Sequence, residues 1–398
     1  MGREDSSPKG AVEMGIYLDN AATTLPKPPA VYEAVLEAMR RVGASAGRGT
    51  YRLALEADRI VFEARSSLAR LFNIRDPSRL VFTANATEAL NLALKGFLRP
   101  GDHVVTSSVE HNAVWRPLKA LERSRGIEIT VVPCDRDGSL SPERVEAALR
   151  PDTRLVVLTH ASNVVGTILP VAEVGQITRR HGIALLVDTA QTAGILPIDV
   201  EAIGVDLLAF TGHKGLFGPM GTGGLYVREG IELEPLKEGG TGGQSILEEQ
   251  PDYLPDRYEA GTLNVPGLAG LRAGVEFILS EGIEKVREKE ARLVAYALKR
   301  LNEVEGIKIY GPQDPERQVG VISFNLGDLG PEQVAFFLDN VYDIQVRSGL
   351  HCAPQAHRTI GTLERGTVRV GLGYFNREED LDALAEALRA IAEEMVGG

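Results

Sequence analysis

Between about residues 55 and 230, short apolar runs alternate with amphipathic helical patterns, and this order constrains the chain more than any other feature. The runs are Arg79-Leu-Val-Phe-Thr83, His103-Val-Val-Thr106, Ile127 to Val132, Leu155-Val-Val-Leu-Thr159, Ala184-Leu-Leu-Val187 and Leu207-Leu-Ala-Phe210. Helical patterns such as Ala86 to Leu98 and Val171 to His181 lie between them. Strands that alternate with helices imply an α/β fold, with a mostly parallel sheet covered on both faces. Ligands of such sheets bind beyond the carboxyl ends of the strands. Polar clusters follow directly after five of the runs: Ala84-Asn-Ala-Thr-Glu88, Ser108-Val-Glu-His-Asn112, His160-Ala-Ser-Asn163, Asp188-Thr-Ala-Gln191 and Thr211-Gly-His-Lys214. Five clusters at five strand ends would converge on one crevice.

After about residue 265 the pattern changes to α+β. Val275 to Val304 reads as a long charged helical region, Val319 to Asn325 and Val368 to Gly371 as strands, and Arg377 to Met395 as a closing amphipathic helix. The expected division is a large domain over 16–265 and a smaller C-terminal domain over 266–398, after a disordered leader at 1–15. The stretches Glu238 to Gln244 and Pro251 to Asn264 read as loops. A formal net charge of -12 excludes the basic stripe of a nucleic-acid binder and electrostatic attachment to anionic membranes. No apolar run approaches the ~20 residues of a spanning helix, and the first residues lack a signal-peptide core. Two cysteines in 398 residues are no disulfide framework, so the expected setting is a reducing cytoplasm.

Four places in the chain carry distinct chemistry. Asn85 and Glu88 form a capping-box pattern at the helix opening at Ala86, whose unpaired N–H groups and dipole suit a phosphate, with the Thr87 hydroxyl as a further donor. The same pattern also describes an ordinary capped helix. Asp188 ends an apolar run, where a carboxylate can pair with a protonated pyridine nitrogen or serve as a turn residue. Lys214 stands 26 residues further on, among Gly212, Gly215, Gly218 and Gly221. It can form a Schiff base if burial or a nearby cation lowers its pKa, or it can be a solvated surface lysine. Cys352 lies in Arg347-Ser-Gly-Leu-His-Cys-Ala-Pro354, where Arg347 and His351 are cationic neighbours that favour a thiolate; a small core residue is the alternative. Cys134 reads as core.

Taken with Tyr17-Leu-Asp-Asn-Ala-Ala-Thr23, Thr87-Glu88, Glu110-His111, Ser162-Asn163, Val187 to Gln191, Gly212-His-Lys214, Glu259-Ala-Gly-Thr262 and Arg347 to Cys352, the chain resembles the class V aminotransferase family. Within it, the similarity is to cysteine desulfurases of the SufS and selenocysteine lyase branch, over about residues 16 to 395. The resemblance implies the fold type I of pyridoxal-phosphate (PLP) transferases. It implies that Lys214 holds PLP, that Asp188 pairs with the pyridine nitrogen and that Gln191 bonds the ring oxygen. His111 would stack on the ring and shuttle protons. Ala86 and Thr87 at the helix start, with Thr211 and His213, would bind the phosphate, and Thr262 would reach the phosphate of a second subunit in a homodimer. Asn163, Arg347 and Arg369 would hold the substrate. The implied reaction turns L-cysteine into L-alanine, with Lys214 as base and a persulfide on Cys352 that passes to an acceptor protein, as in iron–sulfur cluster assembly. Selenocysteine lyase, another class V activity and, more remotely, a cofactor-free scaffold are the competing readings. No metal is expected. The chain departs from the family pattern at Thr189, Thr211 and Leu350, where glycine, serine and histidine are usual. Arg369 follows Cys352 by only 17 residues, which suits a short, tethered cysteine loop.

Overall fold

Seven strands form the larger sheet, in the order Leu80–Thr83, Gly223–Val227, Leu207–Thr211, Ala184–Asp188, Thr153–Thr159, His103–Ser107 and Glu128–Val132. The computed structural model describes residues 15–47, 49–243 and 246–396, with side chains through 393. Apart from Gly15, the leader expected at 1–15 lies outside the described residues. Strand pairing is parallel except at Gly223–Val227, which runs antiparallel to both neighbours. The six strands expected from the apolar runs are all present, some a residue or two longer.

Their residues alternate between two cores. Val105, Val156, Leu158, Leu185, Val187, Leu208 and Phe210 face one. Val104, Leu155, Val157, Leu186, Leu207 and Ala209 face the other. This two-sided burial is why the strands read as unbroken apolar runs. Each buried aliphatic side chain contributes about 1.5–3 kcal/mol before entropy is counted.

The strand Gly223–Val227 was not legible in the sequence because it opens on two glycines straight after a glycine-rich turn. Both are required. A Cβ on Gly223 would lie 2.7 Å from the Asn85 Cα, and one on Gly224 2.5 Å from the Phe210 ring.

The long charged helix expected at Val275 to Val304 is instead two helices, Val265–Glu281 and Ile283–Asn302. Gly282 separates them at φ +86°, a conformation in which no helix continues. The first begins ten residues earlier than expected because its N-terminal half is apolar and lies against helices Pro29–Glu37 and Arg52–Leu71.

A second sheet, antiparallel, has the order Arg347–Gly349, Thr367–Gly371, Val321–Leu326 and Ile307–Tyr310. Helices Ile283–Asn302, Pro331–Tyr342 and Glu378–Val396 share its core. The strand expected from Val319 begins at Val321. Ile16–Tyr17 pairs with Ile344–Gln345 beside this sheet, and the chain then crosses to the large one. On the way Leu18 C=O accepts from Gly371 N–H (2.6 Å), and His213 C=O accepts from Thr24 N–H (3.0 Å). This crossing segment lies against the carboxyl ends of the large sheet. Among the described residues no helix is long and apolar enough to cross a membrane, and no metal-ligand cluster occurs.

Candidate active site

Thr159, Asp188 and Thr211 are the last residues of three large-sheet strands. They line one cavity of about 280 Å³. Of the residues singled out in the sequence, Ala86, Thr87, His111, Asn163, Gln191, His213, Lys214, Arg347, Cys352 and Arg369 line it as well. Thr262 does not. It is exposed, beside Lys237 and Glu88 on another face.

One end of the cavity is built to hold an anion. Asn85 caps the helix Ala86–Phe97 by accepting from Glu88 N–H at 3.0 Å. Glu88 does not close the capping box on Asn85. Its carboxylate accepts from Ala84 N–H (2.6 Å) and pairs with Lys237. The amides of Ala86 and Thr87 remain as the helix's own unsatisfied donors. Opposite them, the buried Thr211 Oγ1 and His213 Nδ1 have no partner among the described residues. Buried polar atoms of this kind are rare unless a ligand completes them. A phosphate group fits this set.

The middle of the cavity holds the titratable groups. Enclosure, and then Arg369, lower the Lys214 pKa to about 8, against the opposing pull of Asp188. Burial pushes the Asp188 carboxyl upward, with Lys214 and the Ala190 N–H (3.0 Å) holding it down. Burial, Lys214 and Arg369 lower the His111 pKa to about 4, so its ring is neutral near pH 7. His111 Nδ1 accepts from Ala113 N–H at 3.0 Å, which leaves the proton on Nε2. Gln191 donates to Ala21 C=O at 3.2 Å. Behind this ring sits Glu110, raised to about 8 by burial; it accepts from the Ser107 hydroxyl (2.5 Å) and from Thr159 N–H (3.0 Å).

The far wall comes from the second sheet. Arg369 is 2% exposed. Its Nη1 donates to Asn163 C=O (3.0 Å) and its Nη2 to Asp19 Oδ1 (2.8 Å), while Nε has no partner. Arg347 sits opposite Arg369 in register. Asn163, expected on the substrate, places its side-chain amide on His351 C=O at 2.7 Å.

Cys352 is exposed at the rim, on a loop held at several points. Asn163 takes the His351 carbonyl, Asn112 N–H donates to Cys352 C=O (2.8 Å), and the His351 ring lies 3.1 Å from the Thr367 hydroxyl. His351 and Cys352 both adopt left-handed backbone, at φ +47° and +57°. Non-glycine residues hold this conformation only where surrounding contacts impose it. The expectation that His351 is a cationic neighbour of the thiol is corrected here. It is buried against Thr367, and burial and Arg369 push its pKa down to about 2, so it is neutral. Arg347, Arg369 and Lys214 are the cationic side chains that share the cavity with Cys352. Cys134 packs beside the core as expected, and burial raises its thiol to about 11. Asp19 and Glu110 lie in the Tyr17–Thr23 and Glu110-His111 motifs, but their contacts with Arg369 and Thr159 come from distant parts of the chain. Their functional signal is three-dimensional.

The family model for class-V aminotransferases matches residues 16–384. A probable cysteine desulfurase of Methanothermobacter thermautotrophicus is 40% identical over 95% of this chain and 94% of its own. A cysteine desulfurase of Escherichia coli is 36% identical over 94% and 93%. Among solved structures, the apo cysteine desulfurase of Thermococcus onnurineus superposes with a TM-score of 0.90 at 34% identity, covering 96% of this chain and 95% of that one.

Proposed function

The chain belongs to the class-V aminotransferase family, and from that membership we propose that it is a PLP-dependent cysteine desulfurase that converts L-cysteine to L-alanine and takes the sulfur onto Cys352. One observation carries the proposal: a lysine of lowered pKa, a buried aspartate, a buried arginine and an exposed cysteine line the same cavity.

The unpartnered Thr211 and His213 atoms and the helix start at Ala86 and Thr87 suit the cofactor phosphate. Lys214 would hold the cofactor, Asp188 would face its ring nitrogen, and Gln191 and His111 would contact the ring. PLP supplies an electron sink for the bonds at the substrate's α-carbon. Arg369, with Arg347 beside it, binds the substrate carboxylate. Lys214, with its lowered pKa, would be a base of suitable strength for the substrate's α-proton. His111 offers a proton from Nε2. The Cys352 thiolate attacks the substrate sulfur; the new S–S bond forms as the S–Cβ bond breaks, and the bonding pair stays with carbon. The balance is one cysteine and one enzyme thiol giving one alanine and one persulfide.

Exposed Tyr32, Leu36, Met39, Tyr51, Leu55 and Phe62 on neighbouring segments support a homodimer, since monomers rarely display so many large apolar side chains together. The position of Thr262 outside its own cavity supports its reach toward a second subunit. The pinned Cys352 loop supports an acceptor protein that reaches into the crevice. Cytoplasmic sulfur delivery, including iron–sulfur cluster assembly, is the setting these features suit.

The test is the Cys352→Ser holoenzyme. It should stay yellow and lose sulfide release from cysteine, whereas Lys214→Ala should lose the bound chromophore. Sulfide release by Cys352→Ser at a near wild-type rate would reject the persulfide step. The same assay with selenocysteine separates the two lyase activities.

A further inference from the structure

We propose that Thr359 is a positioning residue for Cys352: its hydroxyl, held by Ser108, clasps the helix after the cysteine to the large sheet, so that the thiol shares one frame with His111 and Lys214. The proposal rests on the reading that Cys352 takes the substrate sulfur.

The chain around Cys352 changes sides. Arg347–Gly349 pairs with Thr367–Gly371 in the small sheet. Between those two strands the chain leaves that sheet. Ala353, Ala356 and Ile360 pack into the same core as Val105 and Val132 of the large sheet. The His351 ring keeps a bond back to the Thr367 hydroxyl at 3.1 Å. Cys352 thus sits where the chain crosses between domains. Whatever docks the helix Pro354–Ile360 decides which domain carries the thiol.

One turn of the large domain makes the polar part of this docking. It runs from Ser107, the last residue of its strand, to Asn112, the first residue of the helix Asn112–Arg125, and it carries His111 into the cavity. The turn is itself firmly held. Ser108 N–H donates to Val132 C=O at 3.1 Å. The buried Glu110 carboxyl accepts from the Ser107 hydroxyl (2.5 Å) and from Thr159 N–H (3.0 Å).

This turn grips the cysteine segment at two points. Asn112 N–H donates to Cys352 C=O at 2.8 Å. One short helix further on, Thr359 Oγ1 lies 2.9 Å from Ser108 Oγ and 3.0 Å from Ser108 C=O. A threonine hydroxyl inside a helix ordinarily turns back to the carbonyl four residues earlier. Here that carbonyl is Gln355 C=O, at 3.1 Å, and the Ser108 contacts come in addition. Ser108 Oγ accepts from Cys134 N–H at 2.9 Å, which leaves its own proton for Thr359. Two grips fix both the place and the tilt of the segment, whereas one would let it pivot about Cys352. The S–S bond forms only when the thiolate meets the substrate sulfur in line with the S–Cβ bond. Misplacing a reacting group by about 1 Å can cost roughly 100-fold in rate.

The test uses the holoenzymes of wild type, Thr359→Val, Thr359→Ser and Cys352→Ser. Thr359→Val keeps the volume and removes the hydroxyl. Hydrogen exchange at its Asn112 amide, measured without substrate, should quicken about three- to tenfold. Persulfide formation on Cys352 in a single turnover with cysteine should slow about tenfold. The affinity for L-alanine, read by absorbance, should hold, because the arginine wall is untouched. Thr359→Ser keeps the hydroxyl and should restore both the exchange and the persulfide rate. If either quantity is unchanged in Thr359→Val, or if L-alanine binding weakens as far as the persulfide rate falls, Thr359 does not position the thiol. Sulfide release by Cys352→Ser at a near wild-type rate is a separate result: it rejects the persulfide reading, while the exchange measured without substrate still decides the clasp.

Discussion

The ion pair of Arg65 and Glu259 is the place where a single substitution should cost most. Arg65 Nη1 and Nη2 each reach a different Glu259 oxygen at 2.8 Å, and their side chains are 7% and 5% exposed. Glu259 also accepts from Phe82 N–H at 2.5 Å, and the guanidinium lies 4.5 Å from the Phe82 ring centroid. In Glu259→Ala the guanidinium keeps one acceptor, the Leu80 carbonyl, and the Phe82 amide loses its own. Breaking a buried pair by removing one partner costs about 3–5 kcal/mol. That is a large share of the ~5–15 kcal/mol that folded domains hold. Arg65→Met should cost nearly as much, since it strands the carboxylate. The double variant Arg65→Met/Glu259→Leu leaves no uncompensated charge and should lose far less than the two singles added together. The coupling should be about 2 kcal/mol or more by a double-mutant cycle. Urea unfolding of the holoenzyme measures all four. A Glu259→Ala loss below about 1 kcal/mol, or strict additivity, would refute the account. Because Phe82 leads directly to Asn85 and the helix start, the single variants should also bind the cofactor more weakly.

Further outcomes follow from the site. Capture of PLP by the apoprotein needs the neutral Lys214 amine, so its rate should rise with pH through about 8 rather than through the ordinary lysine range. The unfolded chain holds the lysine proton up to about 10.4, so apoprotein stability should also rise across the interval from about 8 upward; a capture rate flat across it would contradict the lowered pKa. Thr211→Val and His213→Ala each remove a buried group that awaits a partner. Each should raise the cofactor dissociation constant roughly tenfold, measured by equilibrium titration. Asn163→Ala releases the His351 carbonyl and loosens the cysteine loop. Hydrogen exchange at the Asn112 amide, which donates to Cys352 C=O, should quicken about tenfold, and unchanged protection would mean that the loop is held elsewhere.

Much of the site was legible because strand ends and the polar residues after them are contiguous in the chain. Asp188 and Lys214 each follow an apolar run, and the helix at Ala86 announces itself by Asn85. Asn163 was legible as a site residue but not in its action, because its side chain is committed to a loop 188 residues away. His351 shows the same limit. Its place next to Cys352 suggested a cation, and only its burial against Thr367 makes it neutral.

By itself the sequence determined the order of strands and helices, the two-faced sheet and the convergence of polar clusters at its carboxyl edge. These depend on local periodicity and on how a parallel crossover must run, so neighbouring residues suffice to specify them. The tertiary structure decided the strand Gly223–Val227, the break at Gly282, the pairing of Asp19 with Arg369 and the protonation of His111, His351 and Lys214. Those depend on which distant groups are brought together, and on how far the surroundings exclude water from a charge.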